Sequence, residues 1–303
     1  MGVTIRSVEF RLMMCLKTVV RLCALSVVLV SGTSNSFAQG LVWTLPQDGT
    51  WVRYEGTFKQ VESRPESTNT DEGDIEIDWI RQITIKSVGK EQVMIDGKET
   101  ACRWIEIKTV TGKPSESGID PGPTGAAIYK VLVPEARVLG QLEEAKIKNL
   151  AAGKIRDADT IPVHAIPIVK GFRKLGDSEI LPVKAKILQV YPLLSFIRHF
   201  NTLTVDSEQA EALQIRLGDV SAVPLSGRHV MESLKSRSTN ESKLWRSDDV
   251  PFGIAKWTVK IVREEKDSRA SRDDYKIVTE LNIEMAAHET GTDAVSELAT
   301  PDE

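Results

Sequence analysis

The sequence is poor in the residues that most protein chemistry needs. Of its 303 residues three are cysteines, and two of these, Cys15 and Cys23, lie close to the N-terminus. Only Cys102 remains in the body of the chain, so an internal disulfide framework is excluded and no Cys-x-x-Cys pair exists. The four histidines, His164, His199, His229 and His288, are scattered, and none falls into His-Glu-x-x-His or another zinc spacing. Gly-x-Ser-x-Gly, Walker and Gly-x-Gly-x-x-Gly segments are absent, so no cofactor is expected. No apolar run approaches the roughly 20 residues that cross a bilayer as a helix. Basic residues (39) do not outnumber acidic ones (43), and a net charge of −4 gives no footprint for nucleic acid.

What is present begins with a leader pattern. Arg6, Arg11, Lys17 and Arg21 precede the short apolar run Cys23–Val30, and Ser36-Phe37-Ala38 puts small residues where a signal peptidase reads. Residues 1–38 are therefore expected to be a signal peptide, cleaved before Gln39, with export to the periplasm or outside the cell. Removing them leaves 35 basic against 42 acidic residues, a net charge of −7.

The rest of the chain alternates with a period of two. From Tyr275 to Met285 the odd positions are mostly apolar and the even ones mostly polar, which predicts a long half-buried strand. Trp257, Val259 and Ile261 do the same just before it, across the charged stretch Glu264–Asp274, so the two read as an antiparallel hairpin. Val52, Tyr54 and Phe58 predict an earlier strand, Ile83 and Ile85 another, and Asp96-Gly97 a tight turn before Ile105 and Ile107. Shorter strands are expected at 128–133, 213–217 and 229–234. The middle departs from this pattern. Residues 135–152 have helical spacing, 157–186 read as an extended connection with three prolines, and 191–200 read as a short helix after Pro192.

The predicted fold is mainly β (α+β): a large curved antiparallel sheet, half-barrel-like, with one or two short helices packed on one face. One β-rich domain is expected over 39–287, with a flexible loop at 62–74 and a disordered acidic tail at 288–303. The run Asp71–Asp78 has oxygen ligands at alternate positions. It lacks the order of a calcium loop and reads as a solvated entry to a strand with Ile75 and Ile77 inward.

The segment Leu244–Trp257 carries a Trp, an acidic turn at Asp248-Asp249, and Val250-Pro251-Phe252-Gly253 before the next strand. This stretch is similar to one in uncharacterised bacterial exported proteins, whose sheets resemble the half-barrel of the lipoprotein-carrier family that includes LolA and LppX. The resemblance implies a concave face plugged by the segment at 191–200 and transfers no functional residue. Read as geometry alone, Val250–Gly253 is a corner packing a Phe.

The expected function is that of a non-enzymatic envelope protein binding a lipid, acyl chain or other apolar molecule in the curved sheet. Trp257, Val259, Ile261, Ile277, Leu281 and Ile283 would line the cavity, with Phe196 on the covering helix. A module that binds another envelope protein through a sheet face or edge is the alternative. A hydrolase of an envelope polymer stands third, because no catalytic pair is visible.

Overall fold

Period-two patterning becomes hydrogen-bonded ladders, and here the ladders join into one open antiparallel sheet of 13 strands. The computed structural model describes residues 41–63, 73–116, 118–138, 166–184, 203–207 and 209–299. Residues 37–303 group into one unit by their contacts. The expected helix at 191–200, most of the loop at 62–74 and most of the helix at 135–152 lie outside the described residues. Of the last, one α-helical turn, α1 (Glu135–Val138), is described, and Val138 is buried.

The sheet is built outward from its middle. Strand β1 (Trp51–Glu62) lies between β2 (Ile75–Ile95) and β13 (Lys276–Gly291), antiparallel to both. On the β2 side follow β3 (Lys98–Ser115), β5 (Ala127–Pro134), β6 (Lys170–Leu175) and the two-residue β7 (Leu181–Pro182). On the β13 side follow β12 (Ile254–Glu265), β11 (Ser236–Arg246), β10 (Gly218–Glu232) and β8 (Leu203–Val205). The short β4 (Gly118–Asp120) pairs with β3, and β9 (Glu211–Ile215) with β10. Asp96 and Gly97 join β2 to β3 with φ values of 51° and 77°, the positive pair that a two-residue hairpin turn requires.

Alternation gives the sheet two chemically different faces. Face A carries Val52, Tyr54, Ile83, Ile85, Ile105, Ile107, Val131, Leu225, Leu244, Trp257 and Met285, all buried in one cluster. Leu41, Val42, Trp43, Ile166, Ile168, Val250 and Phe252 belong to the same cluster, so segments outside the ladder seal this end of the face. The Val250–Gly253 corner holds the N-terminal segment in place. The amides of Trp43 and Thr44 both donate to the Phe252 carbonyl, at 2.9 and 3.3 Å. Phe252 is fully buried at φ 65°, a backbone conformation rare for a non-glycine residue, and the packed ring holds it there. The corner is thus a structural device.

Two expectations need correction. Residues 157–186 are not all connection. Lys170–Leu175 extends the sheet beyond β5, and its period-two signal is too short to stand out among the prolines. The tail is not disordered from His288. β13 runs to Gly291, and the chain then packs through Leu298, which is 1% exposed. Its acidity suggested solvation, but basic partners on other strands satisfy it, and these are invisible in the local composition.

Gly56 sets how closely β1 approaches β13. A Cβ built there would lie 1.8 Å from the Glu284 carbonyl oxygen, so any side chain must push the central ladder apart. Gly56→Ala is expected to lower stability by about 1–3 kcal/mol, the usual cost of overpacking, read as a lower urea midpoint with an unchanged slope.

Candidate functional site

The register places the sequence-predicted lining residues with some precision. Across β12, β13, β1 and β2, Trp257 lies in a row with Met285, Gly56 and Arg81, and Val259 with Ile283, Phe58 and Trp79. The next row holds Ile261, Leu281, Gln60 and Ile77. Trp257, Val259 and Ile283 are 0%, 2% and 4% exposed, while Ile261 and Leu281 are half-buried against the same cluster. The structure therefore brings these five together on face A. Phe196 lies outside the described residues.

Ile277 does not join them. A register shift between Arg263 and Glu264 pairs Ile277 with Glu264, in phase with Lys260 and Val262 on face B, and leaves it 47% exposed. A bulge adds one residue and reverses alternation beyond it, which counting by twos along the sequence cannot see.

Face A thus has a sealed end and an incompletely covered end. At the sealed end Tyr54 meets Trp257 edge to face at 4.9 Å, and its hydroxyl donates to the Ile254 carbonyl at 3.0 Å. Burial pushes that phenol well above its ordinary range. Toward the other end Phe58 and Trp79 stack at 6.4 Å, and Ile77, Ile261 and Leu281 remain half-buried. Sequence reasoning passed over Phe58, Trp79 and Arg81 as site residues. The signal was available, because Arg81 occupies the apolar phase set by Ile77, Trp79, Ile83 and Ile85. Its guanidinium carbon lies 4.3 Å from the Phe58 ring centre, and its Nε donates to Thr111 Oγ1 at 2.8 Å. Burial pushes the Arg81 pKa down to about 10, so it stays charged at neutral pH.

Around the central strands face B is polar and carries paired charges. Lys59–Asp78, Lys260–Glu280 and Lys256–Glu284 bridge neighbouring strands at 3.1, 3.2 and 2.6 Å. A depression of about 460 Å³ opens among these groups and a second, of about 410 Å³, beside the C-terminal segment. The acidic run at 71–78 ends here as well: Asp78 is taken up by Lys59, and no cluster of three or more His, Cys, Asp or Glu suited to a metal exists among the described residues.

The C-terminal segment 292–298 crosses face B as a strap. Trp51 Nε1 donates to Asp293 at 2.8 Å, and the Ala294 amide donates to the Gly49 carbonyl at 2.8 Å. Glu106, fully buried, accepts from Ser296 Oγ and from the amides of Glu297 and Leu298, and it lies 3.4 Å from Lys86. Lys86 and Lys108 each reach Glu297 at 2.6 Å, and Lys130 donates to the Leu298 carbonyl at 3.2 Å. Leu298 closes a second apolar cluster with Cys102, Trp104, Leu132 and Phe172.

With this geometry established, comparison with known proteins adds little. No family model matches the chain, and no curated protein matches it. A solved structure of lipovitellin, described for its lipid–protein interactions, is similar over 84% of this chain and 26% of that one. The identity is 12% and the TM-score 0.34. The chain thus spans about a quarter of the lipovitellin chain, and a likeness this low carries no argument about function. Among the described residues no helix is long and apolar enough to cross a membrane.

The strap makes two testable claims. Glu106→Ala leaves the amides of Glu297 and Leu298 without their carboxylate and takes from the half-buried Lys86 one of its two. It should cost about 3–5 kcal/mol, the scale for breaking a buried charge network, measured by thermal or urea unfolding. Acid should release the strap. Burial pushes the Glu297 carboxyl up, but hydrogen bonds from Lys108 and Lys86 more than offset this and hold it below its ordinary 4.5. The Trp51 indole holds Asp293 below its ordinary 3.8. Depressed carboxyls stabilise the docked strap fully above their unfolded pKa values and lose that stabilisation as pH falls through the folded ones. The Leu298 methyl resonances, shifted by Trp104, should keep their positions above pH 5 and move toward random-coil values below pH 4.

Proposed function

We propose that this chain is an exported, non-enzymatic protein that holds an apolar ligand or an acyl chain against the incompletely covered end of face A. The observation that carries the reading is the apolar stripe of Phe58, Trp79, Ile77, Ile261 and Leu281, half-buried and continuous with the sealed core at Val259 and Ile283. The side chains that converge there offer contact area rather than acid, base or nucleophile, which favours binding over catalysis. Export rests on the N-terminal basic and apolar pattern with its small-residue cleavage site, and on a body with a single cysteine. Kinship with lipoprotein carriers belongs to the same proposal.

A second reading, a module that binds another envelope protein, has one observation of its own. β8 covers β10 only at Leu225–Gly227. From Arg228 to Glu232, β10 therefore has a strand partner on one side only among the described residues, with Val230 and Met231 39% and 41% exposed. An open edge of this kind accepts an added strand.

Native mass spectrometry of the protein recovered from an exporting host tests the first reading, with solvent extraction of anything bound. A mature mass beginning at Gln39 and a stoichiometric lipid-like adduct are expected. Protein that carries no adduct and takes up no added lipid would sink the apolar-ligand reading, and retention of residues 1–38 would sink export by cleavage.

A further inference from the structure

Arg81 interrupts an apolar run on the inward face of β2. It occupies an inward position of a strand whose inward positions on either side, Ile77, Trp79, Ile83 and Ile85, are apolar, the buried Ser87 beyond them being the other polar one. Its cross-strand neighbour on β1 is Gly56, which has no side chain, and its neighbour on β3 is Thr111. A Cβ at Gly56 would strike the Glu284 carbonyl of β13, so no β1 side chain stands directly opposite Arg81, and the guanidinium lies over the Phe58 ring. One of its five N–H groups is spent on Thr111 Oγ1. The terminal nitrogens have no acceptor and no ion pair among the described residues. In contrast, Arg53, Arg103, Arg237 and Arg263 each hold a carboxylate.

Arg81 is half-buried; a charge partly withdrawn from water with no counter-ion among the described residues carries a cost, and a cation–π contact attracts it without neutralising it. An oxyanion brought by a ligand would repay that cost, because the free fork of a guanidinium matches a carboxylate or phosphate in bidentate geometry. The row beside Arg81 is the Phe58, Trp79, Ile283 and Val259 row, and Ile77 and Ile75 continue the same side of β2. From Arg81 to Ile75 is about 20 Å of strand, the scale of a long acyl chain.

We propose that Arg81 is the anion-binding residue of face A, and that the ligand is an amphiphile: an acyl or alkyl chain with a carboxylate or phosphate head. The head pairs with Arg81, and the tail runs along Phe58, Trp79 and Ile77. This rests on the apolar-ligand reading above and narrows it from any apolar molecule to an anionic one.

Calorimetric titration of the protein tests it, with hexadecanoate, hexadecyl phosphate and hexadecanol each below its micelle concentration. The wild-type protein should bind at least one of the two anions tenfold or more tighter than the alcohol, and the tighter of them identifies the head group. Arg81→Met should bind all three alike, and Arg81→Lys should keep part of the preference. Equal wild-type affinity for alcohol and anions overturns the assignment of Arg81 while leaving the apolar-ligand reading intact. Binding of none overturns both. Should Arg81→Met fail to fold, the wild-type comparison of alcohol with anion still decides the matter.

Discussion

The pairing of β1 with β13 holds the molecule together. These are the first and last strands of the ladder, and they meet in its middle rather than at an edge. Strands β2 to β7 hang from one and β12 to β8 from the other, so without this seam the sheet is two separate arrays of hairpins. Gly56 allows the close approach of the two strands, and the contact of Tyr54 with Trp257 reaches across the seam from β1 to β12. The apolar stripe straddles the same seam, with Phe58 and Trp79 from one array and Ile283 and Val259 from the other.

Two inward-facing charges of the sheet are handled in opposite ways. On face B a buried carboxylate, Glu106, is surrounded by Lys86, the strap amides and Ser296, so its charge is balanced and its lone pairs are occupied. That arrangement keeps a buried ion tolerable, and removing any partner exposes the cost. On face A, Arg81 has one hydrogen bond and an aromatic ring but no counter-ion among the described residues. The first reads as a finished structural joint. The second has the chemistry of a joint awaiting its other half.

Much of the sheet was legible in the sequence, because side chains on alternate sides of a strand leave a period of two in the text. The strands around Val52, Ile83, Ile107, Trp257 and Ile283, and the Asp96-Gly97 turn, were readable from alternation and turn chemistry alone. Strand order was not, because nothing local says that the last strand pairs with the first. The strap was misread for a related reason: Asp293 and Glu297 look solvated until Trp51, Lys86 and Lys108 come up beside them from more than 180 residues away in sequence. Ile277 was misassigned because a bulge leaves no mark in composition. Arg81 was legible as an interruption of an apolar phase, though what surrounds it among the described residues becomes visible only once neighbouring strands are in place.

The central seam also has a kinetic meaning. Its partners are separated by nearly the whole chain, so the contact of greatest sequence separation joins the two halves of the core, and such contacts form slowly. A chain emerging N-terminus first presents β1 long before β13 exists. Until the last strand arrives, one long side of β1 is an unpaired row of backbone donors and acceptors flanked by apolar side chains. A nascent or truncated chain is therefore most prone to aggregate at the place where the finished protein is most tightly joined.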